Sequence, residues 1–401
     1  MKTAFVYAVC GNNEHIETLN VSLQFLKKFS KSAIFVITDS SRNNIAIQHD
    51  NIIDIKTDIE LDHHQASIFL KTTLPRYLDM EDAVYCYIDS DVLAISDDVD
   101  TIFAERFQTI GFCPDNISFD YFSPYAMNCK CLDVFTNNKK RLENAINDYN
   151  IIHQKWENDC NNTEGIQLEK RINEIKTEQL KNLFSIIRYT IQKSTPYFKT
   201  ARIGKYTQRK TDKAWFNKNG EKVLYPIEKY ENYISRITGF NYNSKNNYWT
   251  LPESQYDATK PRCVHLHDAI SKEFSVNIHP ENWQHPNGGV FLFNKFSIDF
   301  LERWHSLTLE IFAMSDWKTR DQGTLATAFW EFNLQQNDLL SEKYNYIIDY
   351  FCDNIDYDKD LGFSKNNFKT SIHPKMVHVF HRFGDKNWDI WNYITSLIEK
   401  E

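Results

Sequence analysis

The chain has 401 residues, of which 42% are hydrophobic, 25% charged and 14% aromatic. Such a chain can bury a full core, which excludes a peptide scaffold and fits one large domain with an insertion or two domains. The formal net charge of −8 excludes a general polyanion binder, so no nucleic-acid partner is expected.

The first third alternates strand-like and helix-like segments, the pattern of an α/β sheet. Residues 4–10 (AFVYAVC), 33–38 (AIFVIT) and 51–57 (NIIDIKT) are predicted strands, and 16–29 and 65–78 predicted helices, the second broken or bent at Pro75. The apolar run AVYCYIDSD follows and carries Asp89 and Asp91 at its carboxyl end, before a further strand over 109–115 (TIGFCPD). In open α/β sheets ligands gather outside the carboxyl ends of strands, where these two acids fall.

From about 130 to 262 the composition shifts to Asn, Lys and Glu. Ile172, Ile175, Leu180, Leu183, Phe184 and Ile187 recur near helical spacing and predict one long amphipathic helix over 163–193, in an insertion. Between 188 and 222 ten bases face two acids, with aromatic residues interleaved. That mixture suits either a solvated loop or contact with an anionic surface, including a membrane.

The last third returns to α/β character. CVHLHDA (263–269) is predicted as a strand with His265 and His267 on one face. NGGVFLFN (287–294) is a strand entered through Gly288 and Gly289, which permit unusual dihedrals or close backbone approach by a ligand. A helix follows over 297–312. Asp321 and Gln322 open another, where Asp321 suits capping, and KMVHVFHRFG (375–384) is strand-like and brings His378 and His381.

Of eight cysteines, Cys10, Cys86 and Cys113 lie in predicted strands, where a free thiol behaves as a small hydrophobe. This pattern points to a reducing compartment. Cys129 and Cys131 have C-x-C spacing without a second nearby pair, which argues against zinc, and the same lack argues against zinc at His265 and His267 with Asp268 or Cys263. With no charged-then-apolar leader and no apolar stretch long enough for a bilayer, a cytoplasmic protein is expected, peripheral to a membrane if residues 188–222 dock there.

Asp89 and Asp91 placed on one strand face would converge on a single point. Two like charges that close need a cation between them or a raised pKa. Carboxylate oxygens suit Mg²⁺ or Mn²⁺, particularly where substrate phosphates complete the shell, and a neutral imidazole from His378 or His381 is a good Mn²⁺ ligand beside them.

The order of D-x-D at 89–91, NGGVFLFN at 287–294, DQ at 321–322 and H-x-x-G at 381–384 resembles the GT-A glycosyltransferases, family 8 above all. The resemblance covers about residues 1–115 and 283–391. It implies a GT-A fold with a large, mainly helical insertion, divided as 1–129, 130–262 and 263–401. The family's late motif continues with two residues before a Lys-Pro-Trp, whereas this chain has HRFGDKNW, one residue shorter and with Asn387 for the proline.

By this resemblance Val9 and Asn12 neighbour the nucleotide base, and Lys71 is the basic residue near the donor. Asp89 lies by ribose and metal, Asp91 and His381 ligate the metal, and Lys386 sits on the diphosphate. Ser90, Asn287, Gly288, Gly289 and Gly384 are expected along the nucleotide sugar. Asp321 holds sugar hydroxyls and Gln322 lies near the reacting face. The implied activity is retaining transfer, with Mn²⁺ or Mg²⁺, from a nucleotide sugar such as a UDP-sugar to a glycan, lipid-linked or protein acceptor. An amide is a poor nucleophile, so same-face attack guided by the leaving phosphate is expected.

Two other readings stand beside it. Haloacid-dehalogenase-type phosphatases use D-x-D after a strand and a late G-D-x-x-x-D, which DSDVL and GDKNWD (384–389) resemble. A non-catalytic sugar- or nucleotide-binding protein on a transferase scaffold is the other.

Overall fold

The computed structural model describes residues 2–318, 320–348, 355–365 and 368–399. The chain forms two compact units, residues 1–132 with 261–401 and residues 133–260.

The first unit is mixed α/β. It opens with β1 (Lys2–Ala8), α1 (Asn13–Phe29), β2 (Ala33–Thr38), β3 (Ile52–Asp54), α2 (His63–Thr72) and β4 (Ala83–Ile88). The break expected at Pro75 is present, since α2 stops at Thr72 and a short 3₁₀ turn runs from Leu74 to Arg76. β5 (Val92–Ala94), β6 (Gly111–Pro114) and α3 (Phe119–Ala126) follow, and α4 (Cys131–Cys160) carries the chain into the second unit.

Within the second unit come α5 (Thr163–Thr177), α6 (Leu183–Ser194), β7 (Thr200–Ile203), β8 (Tyr206–Arg209), β9 (Trp215–Phe216), β10 (Lys222–Leu224), α7 (Tyr230–Thr238), β11 (Asn241–Asn243) and β12 (Tyr248–Thr250). The single helix expected over 163–193 is thus two. The first ends at Thr177, and Asn182, the residue before the second, donates through Nδ2 to the carbonyls of Glu178 (2.9 Å) and Glu174 (3.4 Å), partnering groups that the end of a helix leaves open. Leu180 and Phe184, counted toward the apolar stripe, are each 90% exposed. The stretch read as mainly helical also folds its basic segment into a four-stranded antiparallel sheet, whose Ile203, Tyr206, Trp215 and Val223 pack on Leu168. Strands of two to four residues with charged outer positions leave no run that periodicity could find.

The chain returns to the first unit through α8 (His265–Phe274), where a strand was expected. Leu266 and Ile270 are its buried residues, four apart as on one helix face. β13 (Pro286–Phe293), α9 (Ile298–Phe312), α10 (Asp321–Glu331), β14 (Tyr346–Ile348), β15 (Asp356–Asp358), β16 (Gly362–Ser364), β17 (Met376–Val379) and α11 (Asp389–Glu399) complete it.

Six strands form the main sheet in the order β3-β2-β1-β4-β13-β6, parallel except that β13 runs against both neighbours. Both faces are covered, which is why its strands are continuous apolar runs rather than alternating ones. Val6, Tyr85, Tyr87, Phe291 and Phe293 face a core with Leu70, Phe300, Trp304 and Leu325. Their neighbours Phe5, Tyr7, Cys86, Val290 and Leu292 face the opposite core with Leu19 and Leu23 of α1. A second sheet, β14-β17-β5, packs Leu93, Val377 and Val379 against Trp391 and Ile394 of α11. No helix among the described residues is long and apolar enough to cross a membrane.

Candidate active site

β4 ends at Ile88 and β5 begins at Val92 in the other sheet, so Asp89, Ser90 and Asp91 form the turn between the two sheets. They are therefore not on a strand face, as the spacing suggested. The turn is held on both sides: Asp89 N donates to Gly289 O (2.8 Å) on β13, and Val379 N on β17 donates to Asp91 O (2.9 Å). Side-chain parity along β4 places Tyr87 toward α2, α9 and α10, and Asp89 continues on that side.

There Lys71 of α2, only 6% exposed, lies 2.8 Å from Asp321 Oδ2 and 3.4 Å from Asp89 Oδ1. Burial works against its charge, but Asp321 and Asp89 outweigh it and hold Lys71 above the ordinary lysine range. The ammonium also lies over the Tyr87 ring, 5.1 Å from its centroid. Asp321 is not the helix cap expected: it occupies the first turn of α10, and its carboxylate goes to Lys71. Tyr87 Oη donates to Asp89 Oδ1 at 2.5 Å. Burial foremost, together with the Asp91 carboxylate, pushes Asp89 up despite Lys71.

The third ligand-type group beside the acid pair is His378. Its Nε2 lies 3.2 Å from Asp91 Oδ1, and one ligand atom each from Asp89, Asp91 and His378 lie within 4.8 Å of one another. Against the cost of burial, His378 holds Asp91 below the usual carboxylate range. His381, expected on the metal, is not part of this cluster. It lies two residues past the end of β17, its ring edge-on to Phe380 (4.3 Å), and burial pushes its imidazole down to about 4.

The tautomer of His378 follows from the hydrogen bonds behind it. Gly289 N donates to Asn287 Oδ1 (2.8 Å), which fixes that oxygen as an acceptor. Asn345 Nδ2 donates to the same oxygen (2.9 Å), so Asn345 turns its Oδ1 to His378 Nδ1 (3.0 Å). Nδ1 thus carries a proton, and in the neutral ring the Nε2 lone pair faces Asp91, the arrangement of a metal-binding histidine with an outer partner. Asn287 in turn donates through Nδ2 to Asp115 Oδ2 (2.8 Å).

The paired glycines serve this packing. A Cβ on Gly289 would lie 2.6 Å from His378 Cε1, and one on Gly288 would lie 3.2 Å from Gln322 Oε1 and 3.3 Å from Lys71 Nζ. The close approach expected of a ligand is made by the protein's own side chains. Gln322 is held as well: its Oε1 accepts from Gly288 N (2.9 Å), and its Nε2 contacts His285 Nδ1 (3.1 Å) and Pro286 O.

These groups surround two adjoining cavities of about 250 and 270 Å³. Asp89, Asp91, Asp321, His64 and Phe380 line both; Asn287, Gln322 and His378 line the first, and Val9, Lys71 and Ser90 the second. Asn12, Gly384 and Lys386 line neither. Asn12 caps α1 by accepting from His15 N (3.0 Å). Gly384 and Lys386 belong to a shortened turn in which Arg382 Nε and Nη2 hold Asp385 Oδ2 (3.0 and 2.9 Å). Asp385 and Asp389, needed for the phosphatase reading, are not in the cluster with Asp89 and Asp91.

Sequence reasoning missed Asp115, His64 and Asn345. Asp115 follows a predicted strand just as Asp89 does, a signal that was there to be used. Asn345 offers none, since its role exists only through partners brought from β13 and β17.

In the second unit, Lys205 pairs with Glu164 (2.8 Å), Arg209 with Asp212 (2.5 Å), and Lys210 Nζ donates to Thr195 O (2.7 Å). Part of the basic excess is therefore neutralised internally.

No protein-family model matches the chain, and no curated protein does. Among solved structures, it is similar to the apo WbbM bifunctional glycosyltransferase, with a TM-score of 0.42 and 9% identity over 100% of this chain and 50% of that one. It is also similar to an active-site mutant of LgtC (TM-score 0.35, 10% identity, 100% of this chain and 95% of that one). A third is mouse xyloside xylosyltransferase 1 in its apo form (TM-score 0.34, 10% identity, 96% of this chain and 98% of that one). This chain spans about half the length of the WbbM chain.

Proposed function

We propose that the protein is a divalent-metal-dependent retaining glycosyltransferase of GT-A type, resembling family 8, that uses a nucleotide sugar, a UDP-sugar foremost. The observation that carries this reading is the convergence of Asp89, Asp91 and His378 Nε2 beside a buried Lys71–Asp321 pair on one pair of cavities. Two carboxylates and one imidazole nitrogen fit Mn²⁺ or Mg²⁺, the nitrogen favouring Mn²⁺. When bound, the metal neutralises charge on the departing nucleoside diphosphate.

The chain's own groups do the rest. The turn pinned between β13 and β17 keeps the two carboxylates in place before substrate arrives. Lys71 places a fixed positive charge beside Asp89, and Asp321, already accepting from Lys71, keeps its second oxygen for sugar hydroxyls. Gln322, held through both ends of its amide, is a positioning group rather than a nucleophile. In same-face attack the acceptor oxygen bonds to the anomeric carbon as the bond to the diphosphate breaks, and the acceptor's proton passes to the leaving phosphate oxygen. A glycan, lipid-linked or protein hydroxyl would serve as the acceptor.

Calorimetry with UDP, with and without Mn²⁺, tests this. Wild type should bind UDP in a Mn²⁺-dependent way and then turn over one of a set of UDP-sugars. An outer partner of a metal ligand is worth about 10- to 100-fold in affinity, so Asp91→Ala, a direct ligand, should lose more than about 100-fold. Mg²⁺-dependent phosphate release without UDP binding would replace this reading with the phosphatase one, and UDP binding without turnover of any sugar would leave a binding protein.

A further inference from the structure

Cys129 and Cys131 precede the point where the chain leaves the first unit, and Cys263 and His265 follow the point where it returns. The fold brings the four together: one ligand atom from each lies within 4.8 Å of the others. All belong to the first unit, and none lines the cavities of the candidate active site. The second pair that C-x-C lacks in the local sequence is this distant C-x-H.

We propose that Cys129, Cys131, Cys263 and His265 bind one zinc ion in a structural site that ties together the outgoing and returning ends of the inserted segment. Three thiolates and an imidazole are a complete tetrahedral zinc set. With Zn–S near 2.3 Å and Zn–N near 2.0 Å, tetrahedral geometry sets the S···N edge at about 3.5 Å. Cys131 Sγ lies 3.6 Å from His265 Nδ1.

Two features of the surroundings suit metal-bound thiolates. Cys131 and His265 are the first residues of α4 and α8, where the helix ends favour negative charge. Ser123 Oγ accepts the amide hydrogen of Leu266 (2.9 Å), which leaves its own proton to donate to Cys263 Sγ (3.0 Å), an outer hydrogen bond of the kind that supports metal ligands. A disulfide would use two of the sulfurs and leave the third thiol and His265 without a purpose in the cluster.

The test needs no knowledge of the reaction. Protein purified without chelator from zinc-supplemented culture is analysed by elemental mass spectrometry and by intact mass without reductant. About one zinc per chain is expected, kept in Asp91→Ala and reduced to below about 0.1 in the Cys131→Ser/Cys263→Ser double variant. Reduced, zinc-stripped wild type titrated with Co²⁺ should develop the visible bands of a tetrahedral site and a near-ultraviolet sulfur-to-cobalt band, both removed by zinc. This titration decides the matter if the double variant does not fold. A protein without zinc and without the cobalt bands after reduction overturns the proposal, as does zinc retained in the double variant. Because Asp91→Ala reports on the carboxylate cluster and the cysteine variants on this one, failure of either reading leaves the other standing.

Discussion

Two clusters in one unit begin with the same local device, a pair of ligand-type residues separated by one position. Asp89 and Asp91 sit in a turn between two sheets and line cavities, and the fold adds a single histidine from β17. Cys129 and Cys131 sit at the start of a helix away from those cavities, and the fold adds two further ligands from the returning chain. The first set is two carboxylates and one imidazole open to the cavities; the second is three sulfurs and one imidazole, a full count of four. Spacing alone supplies half of a site in each case, and what arrives from elsewhere in the chain decides whether the half becomes a place for chemistry or for structure.

If the two clusters are independent, damage should stay where it is made. The largest effect is expected from Gly289→Ala, whose Cβ would lie 2.6 Å from the buried His378 ring, between a central strand and a side chain held from behind. Overpacking of this kind costs about 1–3 kcal/mol, measurable by urea denaturation, and should lower Mn²⁺-dependent UDP binding by at least about 100-fold. Zinc content should not change; loss of zinc as well would show that the clusters are coupled. Next comes Asn345→Ala, which frees the Nδ1 proton of His378 and should weaken Mn²⁺ binding by about 10- to 100-fold, read from free Mn²⁺ by paramagnetic resonance. Smallest is Ser123→Ala, which removes one hydrogen bond to one of three sulfurs together with the acceptor of the Leu266 amide. It should cost about 1 kcal/mol, roughly fivefold in zinc affinity against a competing chelator, with UDP binding untouched.

Much of this was legible in the chain itself where one strand or helix carried the whole signal. The runs ending at Ala8, Thr38 and Ile88 announce buried strands because both faces of each are covered. Lys71, Asp89, Asp91, Asp321 and Gln322 were all identified and all meet at the cavities. The choice between His378 and His381 was not legible. It depends on which residue lies on the last turn-facing position of β17, and on Asn345, whose partners are set by tertiary contacts. The Cys/His cluster was missed for the same reason, its halves being separated by the entire second unit. There, short strands and an Asn-capped helix end defeated a reading based on period.

The hydrogen bonds behind His378 begin at a main-chain amide, that of Gly289. Side-chain donors can be lost to any of many substitutions, but a peptide N–H disappears only when proline takes its position. The proton on the histidine is therefore specified by the backbone of β13, and its placement tolerates drift in the surrounding sequence so long as the strand keeps its path and Asn287 and Asn345 remain.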